Sequence, residues 1–256
     1  MNLRPLLAPD EPPPWQLERA AGRSAFLLIC DHAGNRVPRS LETLGLADAE
    51  LQRHIAWDIG VAALALQLSA ALDATLVLQP YSRLVIDCNR PLQSSESIVS
   101  RSERTRIPGN QQLEGADRTR RVEEIFAPYH AQIRALLDAR LARQQPTLLI
   151  ALHSFTPVYL GETRPWHAGV LYHRDARMAR LVINALRREA DLLIGDNAPY
   201  AVSDDTDVAI PQYGEQRGLP HVELEIRQDL IADTEGQQQW AERLARLLHP
   251  LAGQFT

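Results

Sequence analysis

The chain has 256 residues, 45% of them hydrophobic and 23% charged, with 27 basic against 32 acidic side chains and a formal net charge of −5; that is one ordinary globular domain or two small ones, large enough to need neither disulfide nor oligomer for stability. Every basic residue is arginine, and the lack of lysine excludes a Schiff base, a pyridoxal phosphate linkage, a P-loop lysine and a protein-kinase lysine. A net negative balance with no basic cluster argues against nucleic acid as a partner, and no uncharged apolar stretch reaches the roughly 18 residues a membrane span needs.

The start, MNLRPLLAPDEPPPW, lacks an apolar h-region and does not read as a signal peptide; a cytoplasmic location is expected. Residues 1–23 read as an irregular arm, because Pro12, Pro13 and Pro14 cannot donate backbone hydrogen bonds. AFLLIC at 25–30 ends abruptly in polar DHAGNR, the pattern of a buried strand feeding a loop. DIGVAALALQLSAAL at 58–72 is helical in spacing, with Asp58 in its first turn, where a carboxylate suits the helix dipole. Strands are expected at 74–79 and at 84–89 (LVIDCN), followed by a polar, aperiodic segment at 91–115 that reads as a loop over the substrate. A helix over 117–143 should kink at Pro128, and TLLIAL at 147–152 is a further buried strand. Strands at 168–172, 192–196 and 221–226, helices at 174–190 and 234–248 with Asp233 or Thr234 as the last cap, and a loop over 197–220 complete the chain. Cys30 and Cys88, far apart and at the ends of apolar runs, read as reduced structural thiols.

Strands alternating with helices imply an α/β domain with a mixed, mostly parallel sheet covered on both faces. Ligands of such sheets sit beyond the carboxyl ends of the strands. AFLLIC delivers Asp31, His32 and Asn35 there; LVIDCN delivers Asp87, Asn89 and Arg90; TLLIAL delivers His153 and Ser154; HVELEI delivers Glu223, Glu225 and Arg227. Histidines, carboxylates and arginines at one rim are the inventory of a metal hydrolase. His32 and His153 can supply imidazole nitrogens to zinc, with a carboxylate as third ligand. Glu223, Glu225 and Arg227 alternate at period two, so an extended 221–227 puts them on one face, where a glutamate could serve as general base. No G-x-S-x-G or G-x-G pattern occurs, so a serine hydrolase elbow and a dinucleotide fingerprint are unsupported.

These stretches together resemble the N-formylglutamate amidohydrolase family: CDHAGNRVP at 30–38, WDIGVAALA at 57–65, SRLVIDCNRP at 82–91, TRIPGN at 105–110, PYH at 128–130, LHSFTP at 152–157 and GLPHVELEIRQDLI at 218–231. That family is similar to the zinc carboxypeptidases and aspartoacylases. The resemblance implies a single α/β domain over 24–256 of the zinc-exopeptidase, phosphorylase/hydrolase-like kind, with one zinc ion per chain. It matches His32 and His153 to the zinc histidines, Asn89 and Arg90 to the pair that holds a substrate carboxylate, and Glu225 to the catalytic glutamate. The relatives' H-x-x-E pair is broken here, since Asn35 stands three after His32. Asp58, at the start of the helix where the relatives place their ligand glutamate, is therefore expected as the third ligand, with Asn35 and Asp31 in reserve. Arg83, Arg227, Asn35 and Ser154 join Asn89 and Arg90 as expected substrate contacts. The implied activity is zinc-dependent hydrolysis of the amide of an N-acyl acidic amino acid such as N-formylglutamate, a small carboxylate. A metal-dependent deacylase or peptidase with another N-acyl substrate, and a non-catalytic carboxylate-binding protein, are the alternatives.

Overall fold

A computed structural model of the protein describes residues 4–255. Its main sheet contains β1 (Gln16–Glu18), β2 (Phe26–Cys30), β3 (Thr75–Leu78), β4 (Leu148–Phe155), β5 (Ala168–Leu171), β6 (Ile194–Asp196) and β7 (His221–Arg227). They lie in the order β1, β3, β2, β4, β7, β5, β6. The pairings β3 with β2, β2 with β4, β4 with β7 and β5 with β6 are parallel, while β1 with β3 and β7 with β5 are antiparallel. The sheet is mixed and mostly parallel, flanked by helices.

The continuous apolar runs follow from burial on both faces. Phe26, Leu28 and Cys30 pack in one hydrophobic cluster, and Leu27 and Ile29 in the other, because successive side chains of a strand point to opposite faces. The first cluster is closed by α1 (Val61–Leu72), and across the chain by α3 (Arg177–Leu186) and α4 (Thr234–Ala252), through Leu64, Val182 and Trp240 among others. The second is closed by α2 (Ala127–Ala142), through Tyr129, Ile133 and Leu137. Asp233 caps α4, its Oδ1 accepting from the Gly236 N–H at 2.9 Å.

Four local readings need correction. Of the arm expected over 1–23, residues 1–3 lie outside the described residues, and the remainder is anchored. Gln16–Glu18 extends the sheet edge, and Glu124 accepts from the Leu6 and Leu7 N–H groups at 2.8 and 2.9 Å. The expected strand at 84–89 is a run of buried turns. Its apolar side chains fill the second cluster, but its carbonyls bond to side chains instead of a neighbouring strand. Asn110 Nδ2 donates to the Leu84 carbonyl at 2.8 Å and Arg121 Nη1 to the Val85 carbonyl at 2.9 Å. The helix expected over 117–143 is not uniformly α-helical. A seven-residue helix at Gly115–Arg121 runs into a π-helical stretch at Val122–Phe126, which leaves Pro128 in the first turn of α2. Finally, α1 begins at Val61, so Asp58 lies in the turn before it, outside the helix.

The loops expected at 91–115 and 197–220 are largely irregular, with a small hairpin pairing Arg101–Ser102 with Thr105–Arg106 and a π-helical turn at Ala209–Glu215. Among the described residues, no helix is long and apolar enough to cross a membrane.

Candidate active site

β2, β4 and β7 are neighbours in the sheet, and their carboxyl ends bring His32, His153 and Glu225 together. The Asp58 N–H donates to the His32 carbonyl at 3.0 Å, which fixes the turn before α1 against the end of β2. That turn also requires Gly60, whose φ is +80° and whose missing Cβ would stand 2.1 Å from the Ile231 carbonyl oxygen.

His32, Asp58 and His153 are buried and converge. His32 Nδ1 lies 3.2 Å from His153 Nδ1, while Asp58 Oδ2 is 3.4 Å from the first and 2.9 Å from the second. Tetrahedral zinc with ligand bonds of about 2.0–2.1 Å separates its ligand atoms by about 3.3 Å. Two imidazole nitrogens and one carboxylate oxygen at these spacings fit such an ion, with one position left over. Outward, His32 Nε2 is hydrogen-bonded to Asp87 Oδ1 at 2.7 Å, while His153 Nε2 faces Asp31 Oδ2 across 3.6 Å, too far for a hydrogen bond. A partner such as Asp87 keeps the His32 proton on Nε2 and leaves its Nδ1 as the donor to a metal.

Burial would push Asp58 up, but the charges of His32 and His153 and their hydrogen bonds outweigh it and hold the carboxylate ionised. Burial likewise opposes ionisation of Asp87, and the Arg83 guanidinium and His32 more than reverse it. Arg83 forks onto Asp87 Oδ2, with Nε at 3.0 Å and Nη2 at 2.6 Å, and its Nη1 is 3.5 Å from Asp58. It is therefore engaged with the carboxylates that surround the histidines.

On β7, Glu225 is the register partner of His153 on β4, and Glu223 that of Ala151. Both glutamates are buried, each with one Oε2 that no protein group bonds. Burial raises Glu225 to about 7 and Glu223 to about 8. Adjacent carboxylates work in the same direction, while the positive charge of His153 opposes the rise.

A cavity of about 430 Å³ opens over this cluster. Asn89, Arg90 and Ser154 line it, but each has a structural partner. Asn89 brackets the chain at 207–209, donating to Asp207 Oδ1 and accepting from the Val208 and Ala209 N–H groups, each at 3.1 Å. Arg90 Nη1 donates to the Thr206 carbonyl at 2.6 Å and its Nε to Glu96 at 3.3 Å. Ser154 donates its N–H to Asp58 Oδ2 at 3.2 Å, so it orients that carboxylate. Asn35 and Arg227 do not join the lining. Asn35 donates to the Leu51 carbonyl at 2.8 Å, and Arg227 forks onto Asp229. Asp31 lies behind His153, away from the converging Nδ1 atoms. Asp87, His54, Arg101, Tyr159 and Tyr200 also share the wall; of these only Asp87 carries a signal in the sequence, as one of the groups at the end of the 84–89 run. A second group with metal-holding spacing, His173, Asp204 and Glu215, already has Arg174 on both of its carboxylates.

The sequence model of the N-formylglutamate amidohydrolase family matches residues 24–232. Among solved structures, the gene product Atu2144 of Agrobacterium tumefaciens is 35% identical, over 97% of this chain and 98% of its own, with a TM-score of 0.94. The N-formylglutamate amidohydrolase of Ralstonia eutropha JMP134 is 20% identical over 94% and 98%, with a TM-score of 0.73, and shares the fold. No curated protein matches the sequence significantly.

Proposed function

The chain belongs to the N-formylglutamate amidohydrolase family, and from that premise we propose that it is a zinc-dependent enzyme cleaving the amide of an N-acyl acidic amino acid such as N-formylglutamate. Membership makes the protein a hydrolytic amidase with a small-molecule substrate. The observation that carries the zinc is the convergence of His32 Nδ1, His153 Nδ1 and Asp58 Oδ2, buried and spaced as ligands. A cytoplasmic setting suits the two buried, unpaired cysteines.

Bound by these three residues, zinc supplies a Lewis acid that polarises the scissile carbonyl and acidifies water. Asp87 holds the proton of His32 on Nε2, and the Asp31 carboxylate faces the Nε2 edge of His153. Glu225 takes a proton from the attacking water at its free Oε2 and returns it to the amine nitrogen as the C–N bond breaks. A carboxyl raised to about 7 can both accept and give back a proton near neutrality. Arg83 in this reading is a positioning residue that steadies Asp87 and Asp58, and Asn89 and Arg90 shape the cavity wall around 206–209. The test is direct: protein purified without chelator should hold about one zinc per chain and release formate from N-formyl-L-glutamate. Chelation should abolish that release and added zinc restore it. A metal-free preparation with full activity would refute the reading.

A further inference from the structure

Carboxylates outnumber guanidinium groups in the cavity wall, so an anionic substrate entering it needs a cation whose charge is not already matched inside the protein. Arg83 is held by Asp87 and Asp58, and Arg90 by Glu96, the Thr206 carbonyl and, at 3.5 Å, Asp207. Arg101 also lines the cavity and is exposed. Among the described residues no carboxylate or other side chain pairs with its guanidinium. It sits on the hairpin directly opposite Arg106, an arrangement in which like charges repel. The hairpin itself is fixed from below. Glu103 accepts from Arg53 Nη2 at 2.7 Å, and Thr105 Oγ1 accepts from Arg53 Nη1 and donates to Glu50, both at 2.8 Å. The network pins the turn and the second strand of the hairpin, and among the described residues the arginine pair has no side-chain anion.

Building on the amidohydrolase reading, we propose that Arg101 selects the acidic substrate by binding its side-chain carboxylate at the cavity mouth. The α-carboxylate of an N-acyl amino acid is one carbon from the scissile nitrogen and must lie near the buried histidines. The side-chain carboxylate extends farther out, where an exposed residue of the rim meets it. Arginine suits the task because its planar fork makes two parallel hydrogen bonds to a carboxylate.

The experiment compares kcat/KM for N-formyl-L-glutamate and N-formyl-L-glutamine in wild type, Arg101→Gln and Arg101→Lys, with zinc content measured on each. Wild type should prefer the glutamate compound, and Arg101→Gln should reduce that preference by roughly 10- to 100-fold, the range for one charge-assisted contact. Arg101→Lys should fall between, and zinc should be retained throughout. No preference in wild type, or an unchanged preference in Arg101→Gln, overturns the assignment. If wild type hydrolyses neither compound, the substrate reading fails, and calorimetric titration with L-glutamate and L-glutamine decides on Arg101 separately. A preference for L-glutamate that Arg101→Gln loses supports it, and any other pattern overturns it.

Discussion

His32 and His153, 121 residues apart in the chain, face each other with their Nδ1 atoms 3.2 Å apart. Asp87 holds the His32 proton outward and Asp31 faces the outer edge of His153; two Nδ1 lone pairs this close repel unless a proton or a cation lies between them. Burial lowers the affinity of both rings for protons, and the surrounding carboxylates reverse this and raise it. The same carboxylates attract a divalent cation, which would displace those protons.

The ligand set can be tested residue by residue. His32→Ala and His153→Ala should each lose most of the zinc found in wild type by elemental analysis. Asp58→Ala should do the same, whereas Asn35→Ala, which breaks contacts to the Leu51 carbonyl and the Gln52 side chain, should keep it. Zinc retained in Asp58→Ala and lost in Asn35→Ala would move the third ligand to Asn35.

A second prediction concerns Asp87, which touches no metal in this arrangement but accepts from His32 Nε2 and is itself gripped by Arg83. Asp87→Asn keeps the shape and removes the charge that orients the ring. Zinc affinity should weaken by about 10- to 100-fold, as is usual for outer partners of metal-bound histidines. Competition with a chelator of known affinity measures it, and an affinity equal to wild type would show that Arg83 and Asp87 serve only packing.

β2 and β4 could be read from sequence because both their faces are covered, which writes a continuous apolar run. The 84–89 stretch writes the same run and is no strand, since apolar character reports burial and says nothing of what the backbone bonds to. Its carbonyls are satisfied by Asn110 and Arg121, 26 and 36 residues away, and no local pattern carries that information. His32, His153 and Glu225 were visible as polar groups at strand ends. The partnership of His32 with Asp87 spans 55 residues, and the freedom of Arg101 is a property of what surrounds it, so neither role could be read from neighbours in the chain. The sequence marks Asp58 both as a helix-start charge and as a ligand. The structure keeps it out of α1 and turns its carboxylate to the histidines.

Glu225 and Glu223 share a strand face and both are raised by burial, so the general base must be decided by kinetics. Only Glu225 is paired in register with His153. Glu225→Gln, nearly isosteric, should keep fold and zinc while kcat falls by roughly 10²-fold or more through lost proton transfer. Glu223→Gln should lose far less. Equal collapse in the two variants, or near-wild-type turnover in Glu225→Gln, would assign the proton transfer elsewhere.

The last prediction concerns stability and a histidine outside the ligand set. His130 on α2 is buried against Phe126 and Tyr129, and its Nδ1 accepts from the Tyr213 hydroxyl. Burial lowers its pKa from 6.5 to about 4; the negative charge of Asp31 opposes the shift and the positive charge of Arg134 assists it. Above pH 6.5 the ring is neutral in both folded and unfolded chains and adds no pH dependence. As the pH falls below 6.5 the unfolded ring takes up a proton that the folded ring refuses until about pH 4. Stability is therefore lost across that window and the loss levels off below it. Between pH 7 and pH 5 this one group should account for about 2 kcal/mol, because roughly 1.5 pH units of the window between 6.5 and about 4 are crossed there, at 1.36 kcal/mol per unit. His130→Asn keeps an acceptor near Tyr213 and cannot titrate, so it should lose less stability than wild type over that interval, whatever its stability at pH 7. Urea unfolding of both proteins at the two pH values gives the comparison. Equal losses in the two would mean that His130 takes up its proton in the folded state as readily as in the unfolded one.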